Sequence, residues 1–300
     1  MLNYEIINLG NTRNKRVKTN KIYYYDLLES TQTLAISLAE ENIHLNEGKV
    51  IASKSQTRGR GRNNRQWISP EGGLWFSIII KPKFSHDLSS FLPLISALSI
   101  CNSINKISNV HATIKWPNDI LINKKKVSGI LIDSNLFHDV IDKNNNKNSL
   151  KEKYYSVIGI GINLNVETKN IISNLSNEYN NKPFQEISSL KNEVDNVIQS
   201  KKEELFNIKK LLKSILQDFE DLLLQLESND TNLINNILIS YKQLCETVGK
   251  NVCCYHNNKL LFCGHVKDID NDGSLLIQKE NEISVINLYS GDLSIRYKND

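Results

Sequence analysis

The run Leu-Trp-Phe-Ser-Ile-Ile-Ile at residues 74–80 constrains the fold more than any other segment. A nearly continuous apolar run of this length, bounded by polar sequence, is what a strand buried within a sheet carries. The residues that feed it, 57–66, contain no aliphatic side chain and predict a loop. Residues 22–25 are aromatic and β-branched and predict a strand. Short strands are also expected at 50–53, 112–116, 120–122, 127–133 and 154–165. Between them, Ser30 and Thr31 precede Leu34, Ala35, Leu38 and Ala39, a capped helix start. Residues 88–107 predict a core helix.

The clearest helix spans 201–227. Leu205, Ile208, Leu212, Ile215, Phe219, Leu222 and Leu226 recur at alternating spacings of 3 and 4. A coiled coil would use the same stripe but would continue it further, so an amphipathic helix on the core is favoured. A second helix follows at 231–246. From Gly249 the pattern changes to about five short strands separated by turn residues, the signature of a small β-barrel. Three stretches lie outside this scheme. Residues 1–20 are polar and basic and predict a solvated arm or edge segment. Residues 134–153 are Asn-rich and predict a disordered insertion, and 166–200 a second, irregular polar one. Both insertions are expected to lie away from any site.

Composition narrows the class. With 300 residues, 40% of them hydrophobic, the chain can build one large core and one small domain. No run of about 18 apolar residues stands out, so no membrane-spanning helix is expected. No leader of secretory type is visible. A net charge of +4 is too mild to imply nucleic-acid binding by itself. The 5 cysteines are odd in number and form no C-x-x-C pair. Neither a disulfide framework nor a zinc knuckle is predicted, and reduced thiols in a cytoplasmic protein are. The histidines show no metal-ligand spacing, so no metal site is expected.

Three segments carry chemistry. Residues 56–67 place Arg58, Arg60, Arg62 and Arg65 among Gly59 and Gly61, with Trp67 behind them. Glycines let backbone approach a ligand, and arginine forks bind phosphate or carboxylate in two-pronged fashion. Such a cluster repels itself when empty, so the loop is expected to be mobile without an anion. A solvated basic loop or an RNA-binding segment fits this motif alone equally well. The second segment, Lys115-Trp-Pro-Asn-Asp119, precedes Lys124, Lys125, Lys126 and Gly129. A lysine inside a strand pattern calls for an anionic partner. The third, Gly159-Ile-Gly-Ile-Asn163, ends a strand but lacks the third glycine of the dinucleotide fingerprint. The Walker pattern is absent as well.

In order and spacing, the segments at 59–67, 115–119, 125–131 and 159–165, with Glu-Ser-Thr-Gln at 29–32, resemble the biotin protein ligases (holocarboxylase synthetases). The resemblance spans residues 20–297. It implies an α+β fold: a mixed sheet flanked by helices, similar to the catalytic domain of class II tRNA synthetases, followed by a small SH3-like β-barrel. The domains would be 1–247 and 248–300. The implied activity is an ATP-dependent ligase that forms biotinyl-5′-AMP and passes biotin to a lysine of a carboxylase carrier domain. MgATP and biotin would be substrates, with no tightly bound cofactor. Ser30, Thr31, Gln32, Gln56, Arg60, Gly61, Arg62, Lys126 and Gly129 resemble the biotin side of the site, with Lys125 an adjacent alternative to Lys126. Arg62, Arg65, Trp67, Asn118, Asp119 and Asn163 resemble the nucleotide side. Arg60, Lys126 and Lys115 would offset charge in the reaction. Some relatives carry an N-terminal DNA-binding domain. About 20 residues precede the first core strand here, so no DNA binding is expected. A homodimer and the acceptor's identity are left open. Three other readings compete: a lipoate- or octanoyl-transferring relative, which should lack the arginine loop and Lys115-Trp-Pro-Asn-Asp119; an RNA-binding protein, which should be more basic; and an inactive ligase-like scaffold, which should have lost Lys126 or Asp119.

Overall fold

Alternation along the strands decides the architecture. The computed structural model describes residues 3–10, 16–108, 110–139, 151–168, 186–194, 206–256, 259–290 and 293–298. Its first strands are β1 (Tyr4–Ile7), β2 (Ile22–Leu28), β3 (Val50–Gln56), β4 (Leu74–Ile80), β5 (Thr113–Lys115), β6 (Asp119–Ile122), β7 (Lys125–Asp139) and β8 (Lys151–Ile162). They form one 8-stranded sheet in the order β1-β2-β3-β4-β8-β7-β6-β5. Strands β2 and β3 run parallel, joined by helix α1 (Thr31–Asn46) as a parallel pair requires. The remaining neighbours are antiparallel.

The further helices are α2 (Phe91–Ser108), the single turn α3 (Leu190–Glu193), α4 (Ile208–Glu227) and α5 (Thr231–Leu244). Leu74, Phe76, Ile78 and Ile80 of β4 share one core with Ile158, Ile160 and Ile162 of β8, and α2, α4 and α5 cover that face. On the other face Ala35, Ala39 and Ile43 of α1 pack against Ile51, Ile79 and Val157. The stripe on α4 is the amphipathic core face expected: Leu212, Ile215, Phe219 and Leu226 are buried, as are Leu211, Leu216 and Leu223. Leu205 lies outside the described residues. By length and composition, residues 86–107 would suffice to cross a membrane, which the sequence reading did not register. The apolarity has a local cause: α2 sits in the core against α4 and α5, with Leu92, Ile95, Leu98 and Ile104 fully buried.

Three expectations need correction. The N-terminal region contributes the edge strand β1, but it is not simply solvated, since Ile7, Leu9 and Val17 are buried. The Arg16 guanidinium donates to both Glu227 oxygens, to Glu47 and to the Lys81 carbonyl. The Val17 amide donates to the buried Glu220 carboxylate at 2.8 Å. The Asn-rich stretch is partly strand, because β7 and β8 pair out to Asp139 and Lys151. Residues 140–150 lie outside the described residues.

The third correction concerns the cysteines. A second, 5-stranded antiparallel sheet comprises β9 (Asn251–His256), β10 (Lys259–Ile269), β11 (Leu275–Lys279), β12 (Val285–Leu288) and β13 (Leu293–Tyr297), in the order β12-β11-β10-β9-β13. It is the small β unit expected after Gly249. The β9–β10 register sets Cys253 opposite Cys263, with Cα atoms 4.0 Å apart and the sulfurs bonded. Cys101, Cys245 and Cys254 are free and buried, as expected of all five. Spacing alone does not announce a pair that strand register brings together.

Replacing Arg16 by Ala would strand Glu227, whose side chain is 7% exposed. We expect the unfolding free energy to fall by about 3 kcal/mol, the range for breaking a buried ion pair. Urea unfolding at neutral pH measures it. A loss below about 1 kcal/mol, the worth of an exposed pair, would mean that water replaces the guanidinium.

Candidate active site

The site grows from what the second sheet face lacks. Where β4, β8 and β7 run side by side, Ser77 pairs with Gly159 and Trp75 with Gly161, and Gly161 in turn with Gly129. None of the three glycines has a positive φ. They serve space, not backbone conformation. A Cβ on Gly161 would lie 2.5 Å from Trp67 Nε1, and one on Gly159 would lie 2.5 Å from Gln32 Oε1. The result is a floor of bare backbone beyond the end of α1, with Trp67 and Gln32 lying directly on it.

Residues 59–67 form the expected loop, closed into a small hairpin by the Arg60–Gln66 bridge. Asn63 and Asn64 both take positive φ, as the two central residues of a tight hairpin turn do. Gly61 N donates to Arg65 O and Trp67 N to Gly59 O, each at 2.8 Å. This small hairpin splays its arginines in different directions. Arg58 meets Glu29 in solvent. Arg60 reaches the Asp133 carboxylate at 3.4 Å. Arg62 donates to Asn118 Oδ1 at 3.1 Å and to the carbonyls of Ser290 and Leu293 in the second sheet. Arg65 is exposed, so the structure does not bring it to the floor.

A charged nest stands beside the floor. Lys126 Nζ lies 2.5 Å from Asp119 Oδ1 and 5.2 Å from the centre of the Trp67 ring. A Cβ on Gly129 would sit 3.3 Å from the same ammonium. Lys125, by contrast, turns away to Glu193 at 3.2 Å. The structure thus separates the two lysines, and Lys126 is the one over the floor. Lys115 is buried, its ammonium 4.8 Å from the Tyr297 ring centre. Asn118 is held between strands, donating to the Ile130 carbonyl at 2.6 Å.

On the α1 side the candidate residues form one connected network. Ser30 Oγ caps α1 through Thr33 N. The Thr31 hydroxyl meets Ser77 Oγ at 2.9 Å, and Thr31 N donates to Gln56 Oε1 at 2.7 Å. Gln56 in turn donates to Ser69 Oγ. Gln32 donates to Asp133 and to the Val157 carbonyl and accepts from Ser77. Each of these groups is therefore oriented before any ligand arrives.

The opposite side corrects the expectation for 166–200. Residues 169–185 and 195–200 lie outside the described residues, but 186–194 belong to the site. Lys126 N donates to Glu186 O at 2.7 Å, and Ser188 N donates to Lys126 O at 2.9 Å. Asn163 Nδ2 donates to Ser188 O at 3.0 Å. That leaves Asn163 Oδ1 buried without a hydrogen-bond partner, as are Trp67 Nε1, Ser128 Oγ and Ser189 Oγ. Unpartnered buried polar atoms are costly, and those beside the floor are where a bound ligand would supply the missing partner; Ser103 Oγ, also unpartnered, lies in α2 away from the site. Among the described residues no group of three or more His, Cys, Asp and Glu could hold a metal.

Sequence reasoning missed Ser77, Asp133 and the 186–194 segment. Ser77 was legible as the one polar residue within Leu74–Ile80. Asp133 was legible as the acidic residue that follows the apolar run Ile130–Ile132. The backbone carbonyls that hold Arg62 leave no trace in the sequence.

Comparison with known proteins is concordant. Residues 24–142 match the biotin/lipoate A/B protein ligase family. The bifunctional ligase/repressor BirA of Bacillus subtilis is 37% identical over 163 residues, which covers 52% of this chain and 46% of that protein. The corresponding protein of Bacillus spizizenii is 28% identical over 275 residues, covering 91% of this chain and 74% of that one. Among solved structures, a biotin protein ligase from Aquifex aeolicus in complex with biotin and ATP superposes with a TM-score of 0.65 at 24% identity, covering 92% of this chain and 98% of the other. At that identity the likeness speaks for the fold.

The buried Lys115 yields a test. Burial, with Lys126 and Arg296 nearby, holds its ammonium below the ordinary 10.5 despite the opposing pull of Asp119. Between the folded value and 10.5 the unfolded chain binds the proton and the folded chain does not. This group's contribution to stability therefore rises with pH through that window and is lost below it. Lys115→Met leaves Asp119 paired with Lys126. We expect it to be more stable than the wild type at pH 7 by about 1 kcal/mol, with the advantage shrinking as pH climbs. Urea titrations at neutral and alkaline pH check this; a less stable Lys115→Met protein at pH 7 would mean that the ammonium is a net stabiliser.

Proposed function

We propose that the chain, whose residues 24–142 match the biotin/lipoate A/B protein ligase family, is an ATP-dependent biotin protein ligase. The observation that carries the reading is the Lys126 ammonium, held by Asp119 over the Gly129–Gly161 floor, with Arg60 poised from the hairpin above. An acid and a triphosphate repel each other, and the site answers with fixed cations on both sides of a surface that backbone alone lines.

In this reading biotin lies along the α1 network, its ureido ring among Ser30, Thr31, Gln32 and Gln56 and its carboxylate toward Lys126 and Arg60. ATP lies over Trp67, with the adenine amine toward the unpartnered Asn163 Oδ1. Arg62, Asn118 and Asp119 stand on the nucleotide side, and Gly61 lets the hairpin backbone close over the linkage; Arg65, exposed at the hairpin, would reach only the outer phosphates. A biotin carboxylate oxygen attacks the α-phosphorus, the bond to the leaving pyrophosphate breaks, and pyrophosphate departs with that electron pair. Lys126, Arg60 and Lys115 offset the charge that gathers on the phosphoryl oxygens. The lysine amine of a carboxylase carrier domain then attacks the acyl carbon, AMP leaves and the amine proton passes to solvent. Magnesium enters with the triphosphate, as part of the substrate. No covalent enzyme intermediate is needed, so the buried cysteines have no part in it. The reading includes a division into residues 1–247 and 248–300, and a cytoplasmic setting.

The test is pyrophosphate release from MgATP with biotin, with lipoate, and with no acid. Biotin-dependent release is expected. Arg60→Ala and Lys126→Ala should each lower its rate by about 100-fold, the scale for removing one preorganised charge-stabilising group. Release with lipoate alone would move the chain to the other branch of that family. Silence with both acids from folded, ATP-binding protein would overturn the ligase reading.

A further inference from the structure

The geometry points to Glu193 as a positioning residue that sets how this site reads the nucleotide base. Its side chain is 6% exposed, yet it touches neither the floor nor the hairpin. One carboxylate oxygen accepts from Ser188 Oγ at 2.5 Å and from Lys125 Nζ at 3.2 Å. The other accepts from Asn123 Nδ2 at 2.8 Å. Burial works against the charge, but these three donors outweigh it and hold the carboxyl below the ordinary carboxylate range.

Each partner leads to a group at the site. Asn123 and Lys124, both at positive φ, form the turn between β6 and β7, and that turn delivers Lys126. Ser188 does two things at once. Its amide brackets the Lys126 backbone, and its carbonyl takes the Asn163 amide proton. Because Nδ2 is committed to Ser188, Oδ1 is the atom left buried without a partner, two residues beyond Gly161 of the floor. An acceptor there suits the exocyclic amine of adenine and repels the carbonyl that guanine presents at the same position. Glu193 thus fixes the Ser188 backbone, Ser188 fixes the Asn163 amide, and the amide selects the base. Without Glu193 the carboxamide is free to turn its donor outward, and adenine loses its advantage.

This inference rests on the nucleotide side of the ligase reading, and the experiment separates the two. Binding of ATP and of GTP to the full chain is measured by calorimetry for wild type, Glu193→Ala, Glu193→Gln and, as a control that loses an exposed ion pair to the same segment, Glu167→Ala. Glu167 pairs with Lys191 in solvent, its side chain 66% exposed. Pyrophosphate release is followed alongside. Wild type and Glu167→Ala should prefer ATP. Glu193→Ala should cut that preference about tenfold, the scale of one misdirected hydrogen bond. Glu193→Gln, which keeps an acceptor for Ser188 but sets an amide against a donor, should fall between. A merely structural role would weaken both nucleotides alike. An unchanged ratio in Glu193→Gln overturns the proposal even if Glu193→Ala fails to fold, and so does a wild type without preference. A shifted ratio with no biotin-dependent pyrophosphate release upholds Glu193 and overturns the ligase reading.

Discussion

Everything at the site depends on three strands whose two faces have opposite contents. On one face β4 and β8 present Phe76, Ile78, Ile80, Ile158, Ile160 and Ile162 to a core sealed by α2, α4 and α5. On the other, the same strands present Ser77, Gly159 and Gly161 at paired positions. The apolar face supplies the stability that leaves the other face locally bare at Gly159, Gly161 and Gly129, beyond the part that α1 covers. A helix docked there would have buried more area but left no surface for a flat ligand. Helix α1 stops short of that region, and its capped N-terminus at Ser30 opens onto it. A one-residue slip of β8 would exchange the two faces, turning isoleucines into the site and glycines into the core.

The charges follow from that bare floor. Lys115, Asp119 and Lys126 are drawn together because Lys115 pairs with Asp119 across β5–β6, and Asp119 with Gly129 across β6–β7. With Arg60 and Arg62 arriving from the hairpin, cations outnumber the carboxylates Asp119 and Asp133. Gathering like charges in a half-buried site disfavours the empty protein, and an anion relieves it. The Lys115 ammonium is depressed first by its burial, and Lys126 and Arg296 add to that against the pull of Asp119. The functional reading and the local instability are therefore one electrostatic fact.

Much of this was legible before any coordinates. The unbroken apolar Leu74–Ile80 strand, the 3-and-4 stripe on α4 and the turn-punctuated C-terminal strands each carry a pattern that one packing arrangement satisfies. The site residues were legible as types, since arginines among glycines or a lysine inside a strand need an anion. What could not be read was pairing. Nothing in the spacing says that Lys125 faces Glu193 while Lys126 faces Asp119, because a bulge between Ile120 and Leu121 resets the register there. Nothing says that Cys253 meets Cys263, or that residues 186–188 return to flank Lys126, because both contacts arise from tertiary register. Polarity misled at 186–194: a segment rich in Ser, Asn and Glu reads as a solvated insertion, whereas here its polar groups satisfy one another and the backbone of β7.

The second sheet is tied to the first through groups that also shape the site. Trp116 sends its indole proton to the Gly273 carbonyl and donates its backbone N–H to Thr247 Oγ1. Tyr241, fully buried, donates to the Pro117 carbonyl at 3.0 Å. Arg62 bonds Asn118 and two carbonyls near β13. Residues 115–119 are thus fixed from below by α5, from the side by the second sheet and from above by the hairpin. A loop carrying Lys115 and Asp119 could not hold two charges in place on its own, since their separation would drift with its backbone. Clamped on three sides, it presents them at fixed positions. A transition state is stabilised only by charges that need not move to meet it, and that requirement explains why so small a strand pair draws contacts from α5, the second sheet and the hairpin.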